Sequence, residues 1–218
     1  MRKQDIERVI ALAAIWAQQQ KTNPGDGAAA AANLPDTQSR APQSSGNLEQ
    51  MIEAYSTAFN IAFERKDWQS YSDISLAVCK CYLQARQIGH AIRHAEGTLA
   101  VLAVAALSSG DRVRVECPEL LLNLGVYLAI DDKPDRARAV LALAREAFEA
   151  RCDHFHLGQV FDTLARLAKR AGDVVGMRRC VGSALLHKQT ARDFTGIAAT
   201  MLILDEQDRF QPSAGSGS

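Results

Sequence analysis

Seven positions in this chain recur three times with the same internal spacing. They are Ser75, Val78, Cys79, Tyr82, Ala91, Ala95 and Thr98; then Leu121, Leu124, Gly125, Leu128, Ala137, Leu141 and Ala144; then Phe161, Leu164, Ala165, Ala168, Met177, Val181 and Ala184. Steps of three and four on either side of a longer gap place each set on facing sides of two helices joined by a turn. Small residues at Cys79, Gly125 and Ala165 let the first helix of a pair approach the second closely, and Ala91 and Ala137 do the same from the other side. Short helices bury too little apolar surface alone, so a chain built this way must stack its pairs against sequence neighbours.

The pattern extends beyond the three copies. Met51, Tyr55 and Ala58 have the second-helix spacing, and Ala58, Ala144 and Ala184 each stand nine residues before an aspartate. The connections marked by Asp67, Asp111, Asp153 and Asp193 are 44, 42 and 40 residues apart. Breakers are sparse: Lys66-Asp67, Gly110-Asp111, Lys133-Pro134, Cys152-Asp153, Gly172-Asp173 and Arg192-Asp193. They divide residues 48–210 into about seven helices of about 13 to 20 residues. Composition agrees, because 47% of residues are apolar but only 6% aromatic, and a chain rich in Ala and Leu favours packed helices over sheets.

This spacing resembles the tetratricopeptide repeat, in which a large residue is followed by Leu-Gly, an aromatic, and spaced Ala and Phe positions. The resemblance spans about 160 residues and is similar to the longer repeats of spindle-orientation G-protein adaptors, maltose-regulator-type activators and vesicle-fusion attachment proteins. The chain departs from the pattern where smaller residues replace Trp and Phe, where Met177 stands in place of Ala, and where the closing Pro is missing. The resemblance implies an all-α, right-handed superhelix of antiparallel helix hairpins. Its concave face, lined by the first helix of each pair, would hold a peptide or helix of a partner protein. On this sequence that face carries Asp73, Lys80 and Gln84, then Glu119 and Asn123, then Asp162, Arg166, Lys169 and Arg170. Lys80, Asn123 and Arg166 partly echo the set with which chaperone-binding relatives hold a C-terminal carboxylate. The same residues also suit a plain solvated helix face. Val126 and Ile130 point to a mixed polar and apolar groove rather than a pure charge clamp. The expectation is therefore a binding scaffold or adaptor and not an enzyme. A structural subunit of a larger assembly and a ligand-sensing regulator are the alternatives.

Other segments read differently. Residues 1–20 form a candidate amphipathic helix with Ile6, Val9, Ile10, Ala13, Trp16 and Ala17 at helical spacing. Residues 21–47 are Pro-, Gly-, Ser- and Ala-rich, a linker with a reach of about 30 Å. Residues 211–218 have the composition of a disordered tail. The run Val9 to Ala17 follows Asp5 and Glu7 rather than a basic leader, and Leu99 to Leu107 is far too short to span a membrane, so a cytoplasmic protein without membrane insertion is expected.

Charge narrows the partners. The 25 acidic and 25 basic residues cancel, which argues against a nucleic-acid binder. Locally, residues 136–192 hold eleven Lys or Arg against five acids, and 193–210 hold four acids and one Arg, so the C-terminal half would attract an acidic segment. Cys79, Cys81, Cys117, Cys152 and Cys180 show no C-x2-C spacing and read as free thiols. His90 and His94, four apart, and the run Cys152-Asp153-His154-Phe155-His156 are the places where a metal would be sought, yet surface histidines and a polar turn account for them, and no metal or cofactor is expected. No phosphate loop, dinucleotide fingerprint or hydrolase elbow occurs.

Overall fold

A computed structural model describes residues 54, 55, 57–108 and 117–208, and among them every regular element is an α-helix. A helical segment over 57–64 leads into α1 (Trp68–Gln84), α2 (Ile88–Ser108), α3 (Pro118–Ile130), α4 (Pro134–Ala150), α5 (His154–Arg170), α6 (Val174–Thr190) and α7 (Phe194–Asp208). The described residues are thus all-α, as the spacing predicts. No described helix is long and apolar enough to cross a membrane. The expected N-terminal helix 1–20, the linker 21–47, the tail 211–218, Met51 and the Gly110-Asp111 connection lie outside the described residues.

Two compact units divide at residue 117: Met1–Glu116, which holds the 57–64 segment with α1 and α2, and Cys117–Ser218, which holds α3 to α7. In the second unit each helix packs on the next, and α5 also touches α3 and α7. Helices α3, α5 and α7 therefore lie side by side, with α4 and α6 between them in sequence, as in a row of stacked hairpins.

Within each unit the turns fall on a beat of twenty residues, not only at the forty-residue marks. Lys66, Arg86, Asp132, Cys152 and Arg192 have φ between 53° and 59°, and Gly172 has φ 73°. This left-handed residue follows the 57–64 segment, α1, α3, α4, α5 and α6. The next N–H then donates back to the helix just finished: Asp153 N to Phe148 O at 3.0 Å, Asp173 N to Ala168 O at 2.9 Å and Asp193 N to Lys188 O at 2.8 Å. That closes orphaned carbonyls in the Schellman manner. The same aspartates begin the following helix, with Asp67, Asp153, Asp173 and Asp193 accepting from the backbone N–H of Ser70, His156, Gly176 and Gly196. One aspartate thus stops one helix and starts the next, which is why three residues suffice between helices. At α3 and α4 a proline in the first helical position does the starting instead.

The repeat positions form the core. Cys79, Ala91, Ala95, Leu124, Leu128, Ala137, Leu141, Ala144, Ala165, Met177 and Ala184 are all buried. Gly125 cannot be enlarged, because a Cβ there would lie 2.6 Å from Leu141 Cγ. Met177, the departure from Ala, is also fully buried and sits in one cluster with Ala165, Ala168 and Ile203. Ala168 stands where the earlier copies have Tyr82 and Leu128, so a small residue on the first helix makes room for the longer one on the second.

Candidate partner-binding face

Helices α3 and α5 carry most of the residues singled out for the concave face, and much of that chemistry is engaged inside the fold. Asn123 is half-buried and its Nδ2 donates to the Glu119 carbonyl one turn back at 2.7 Å. Arg170, at the end of α5, donates from Nη1 to the Ala129 carbonyl at 2.5 Å, tying it to the end of α3. Lys169 Nζ donates to the Ile203 carbonyl on α7 at 3.2 Å. Asp162 does not face outward as a ligand either: its carboxylate pairs with Lys188 and accepts from Thr200 Oγ1 at 2.7 Å. These side chains are long enough to reach the next helix, where C-terminal carbonyls and buried partners await donors.

What remains turned outward is a smaller set. Arg166 is exposed, Val126 is half-buried, and Ile130 is exposed. Parallel helices forty residues apart in sequence put Arg166 level with Val126, and the Arg170–Ala129 bond one turn further along fixes that register. On α1 in the first unit, Lys80, Gln84 and Asp73 are exposed, Asp73 accepting from Gln69 Nε2 at 3.1 Å.

The third copy contains a buried ion pair that pattern reading did not find. Lys188 on α6 is 2% exposed. Its ammonium meets Asp162 on α5, Thr200 Oγ1 at 2.8 Å and Gly196 O at 3.0 Å on α7, so all three donors are used. Gly158 makes the space, since a Cβ there would come within 2.7 Å of Lys188 Cγ. The available signal was a glycine and an aspartate one turn apart on α5.

Aromatic and histidine side chains gather at two places. In the first unit His90 stacks on Tyr82 at 5.5 Å, and His94 packs against Phe59 and Tyr82, where burial lowers its pKa. The His90/His94 spacing is thus taken up by ring packing. In the second unit His154 and His187 share a hydrogen bond between their Nδ1 atoms at 2.9 Å, and His187 also stacks on Phe161. Burial and then the neighbouring His154 hold the His187 pKa down. One of the two Nδ1 atoms must be bare to accept, so the pair cannot be doubly charged and keep that bond.

His156 Nδ1 lies 2.7 Å from Asp153 Oδ2, and its ring stacks on Phe148. Burial works to raise the Asp153 carboxyl, but hydrogen bonds from His156 outweigh it and the pKa is lowered. Glu119, Asp153 and His156 offer donor atoms within 4.8 Å of one another and are the residues that could gather round a cation. Each already has a protein partner, for Glu119 is paired with Arg151 at 3.4 Å. A pocket of about 490 Å³ in the first unit is lined by Phe63, Trp68, Val101 and Val104. Its walls are apolar apart from Lys66, which has no acid or second titratable group beside it in the lining. Cys79 is a core residue whose thiol burial pushes up to about 12, far from a reactive thiolate.

No family model matches the chain, and no curated protein does. Among solved structures it is similar to BtubC (BKLC) from P. vanneervenii, with a TM-score of 0.45 and 12% identity over 99% of this chain and 96% of that one. A likeness so faint carries no argument about function.

Proposed function

We propose that this chain is a protein-binding scaffold of tetratricopeptide-like type, which receives a short extended or helical segment of a partner on the first-helix face of its hairpins. The observation that carries the reading is the pairing of Arg166 with Val126 and Ile130 on adjoining helices, outward-turned while Asn123, Asp162, Lys169 and Arg170 are engaged within the fold. A cation beside apolar side chains suits a segment that sets an apolar residue next to a carboxylate. The apolar contact would supply affinity and the charge specificity.

Panning a displayed peptide library against the full chain tests this. Selected peptides are expected to share an acidic residue next to an apolar one and to lose at least tenfold in affinity against Arg166→Glu and against Val126→Asp. Peptides that bind both variants as well as the parent, or a library that yields no binder, would overturn the reading. The alternative of a subunit within a larger assembly is favoured by a separate observation, the uncovered face of α7.

A further inference from the structure

The residues from Phe194 to Leu204, which make up most of α7, include no charged side chain. One face of this stretch is buried against the preceding helices, with Thr200 and Ile203 almost fully enclosed. The opposite face is open. Phe194 is 77% exposed, Met201 53% and Leu202 58%, and Ala198 between them is exposed as well. Positions 194, 198, 201 and 202 share one side of a helix. Among the described residues α7 is the last helix, and its outer face is apolar where the terminal helix of a repeat stack is ordinarily polar.

The repeat shows what kind of cover that face is shaped for. Met201 lies forty residues after Phe161 and eighty after Leu121, in the first position of the recurring pattern. Leu121 is buried, and Phe161 stacks on His187 from the second helix of its own hairpin, at 5.4 Å and 7°. Met201 occupies the corresponding place on α7, and among the described residues no second helix follows to cover it. The face is the uncovered half of a hairpin, and what fits it is another helix.

We infer that this open face is covered by α7 of a second copy of this chain, packed antiparallel about a two-fold axis near Ala198. Charge singles out that occupant. An uncharged strip offers nothing to select a charged partner, and it opposes no like charges when laid on itself. At its two ends the sequence places opposite signs: Arg192 is exposed in the turn before α7, and Asp205, Glu206 and Asp208 fall in its last turn. Antiparallel pairing sets the acidic end of each copy beside Arg192 and the helix N-terminus of the other, twice over. Parallel pairing would set acid against acid. The inference is independent of the first-helix reading, since it uses the hairpin side of α7 and none of Arg166, Val126 or Ile130.

Sedimentation equilibrium on the full chain reads the outcome. The parent is expected to dimerise at micromolar concentration, and Met201→Lys and Leu202→Lys each to raise the dimer Kd at least tenfold with helicity unchanged by circular dichroism. A chain that stays monomeric to about 100 μM, or a dimer indifferent to both substitutions, overturns the proposal. If either lysine variant loses helicity, Ala198→Cys in a Cys152→Ser background decides instead. Facing Ala198 positions across the axis predict an intermolecular disulfide in most of the sample under mild oxidant, and no cross-link above the Cys152→Ser control refutes the pairing.

Discussion

The second and third hairpins fill one slot in opposite ways. Phe148 and Lys188 stand forty residues apart at the same repeat position, near the end of the second helix, and both are buried. Around Lys188 stand Asp162, Thr200 and Gly196, and forty residues earlier the matching positions are Leu122, Val160 and His156, the last stacked on Phe148. The first slot is apolar, with a ring stacked at 4.8 Å on His156. The second holds an ammonium with each proton placed. Both residues occupy the same place in a 17-residue second helix, so that place does not demand a particular polarity. It demands that every member agree, and one mismatched residue costs what the whole exchange does not.

The largest effect is expected from forcing the mismatch in the apolar slot. Phe148→Lys buries an ammonium where Leu122 and Val160 stand in place of the third hairpin's Asp162 and Thr200, and should cost more than about 4 kcal/mol in denaturant unfolding or prevent folding altogether. Adding Leu122→Asp and Val160→Thr is expected to recover most of that loss. If the single variant is tolerated, the two slots are not equivalent and the comparison fails.

The reverse experiment ranks second. Lys188→Met leaves Asp162 without its partner and should cost about 3–5 kcal/mol. The triple variant Lys188→Phe, Asp162→Leu, Thr200→Val is expected within about 2 kcal/mol of the parent, or above it, because a well-packed apolar set often matches a buried ion pair. A triple variant as unstable as the single one would mean that the ionic set does more than fill space.

Much of this molecule is legible in its spacing, and the failures share one cause. Periodicity says which face of a helix a residue occupies, so the core positions and the turns at Asp67, Asp153 and Asp193 could be read directly. It does not say how far a side chain reaches. Asp162, Lys169 and Arg170 sit on α5, the first helix of its hairpin, yet their groups extend to α6, α7 and α3. Lys188 was invisible because its partners lie 26, 12 and 8 residues away on two other helices and each looks, alone, like a solvated or capping residue. Met177 broke the expected pattern only until its counterpart Ala168 was placed opposite.

A smaller effect separates the two histidine clusters. His94 in the first unit and His187 in the second both have pKa values held below the usual 6.5, so the folded chain resists protonation that the unfolded chain accepts. Stability is then full above about pH 7 and falls as pH drops through 6.5. His187→Phe, which keeps the stack on Phe161, should remove the second unit's share of a pH 7.5 to 5.5 loss in Tm and leave that of His94. A slope unchanged by His187→Phe would place the whole effect in the first unit.

The smallest expected effect sets Gly172 against the other five left-handed turn residues. All six close the same bonds, but only glycine reaches positive φ without crowding its own Cβ. Arg192→Gly, in the turn leading into α7, is expected to stabilise by about 0.5 kcal/mol, the relief of roughly 1 kcal/mol of strain being partly offset by the greater freedom of an unfolded glycine. Gly172→Ala should lose about 1 kcal/mol, although no atom lies within 4 Å of the added Cβ, because its φ of 73° is the obstacle and not its surroundings. Thermal unfolding of the two variants side by side separates these causes: if Gly172→Ala proves neutral, the turns are held by their aspartate caps alone and the left-handed residue is a passenger in a geometry fixed from both sides.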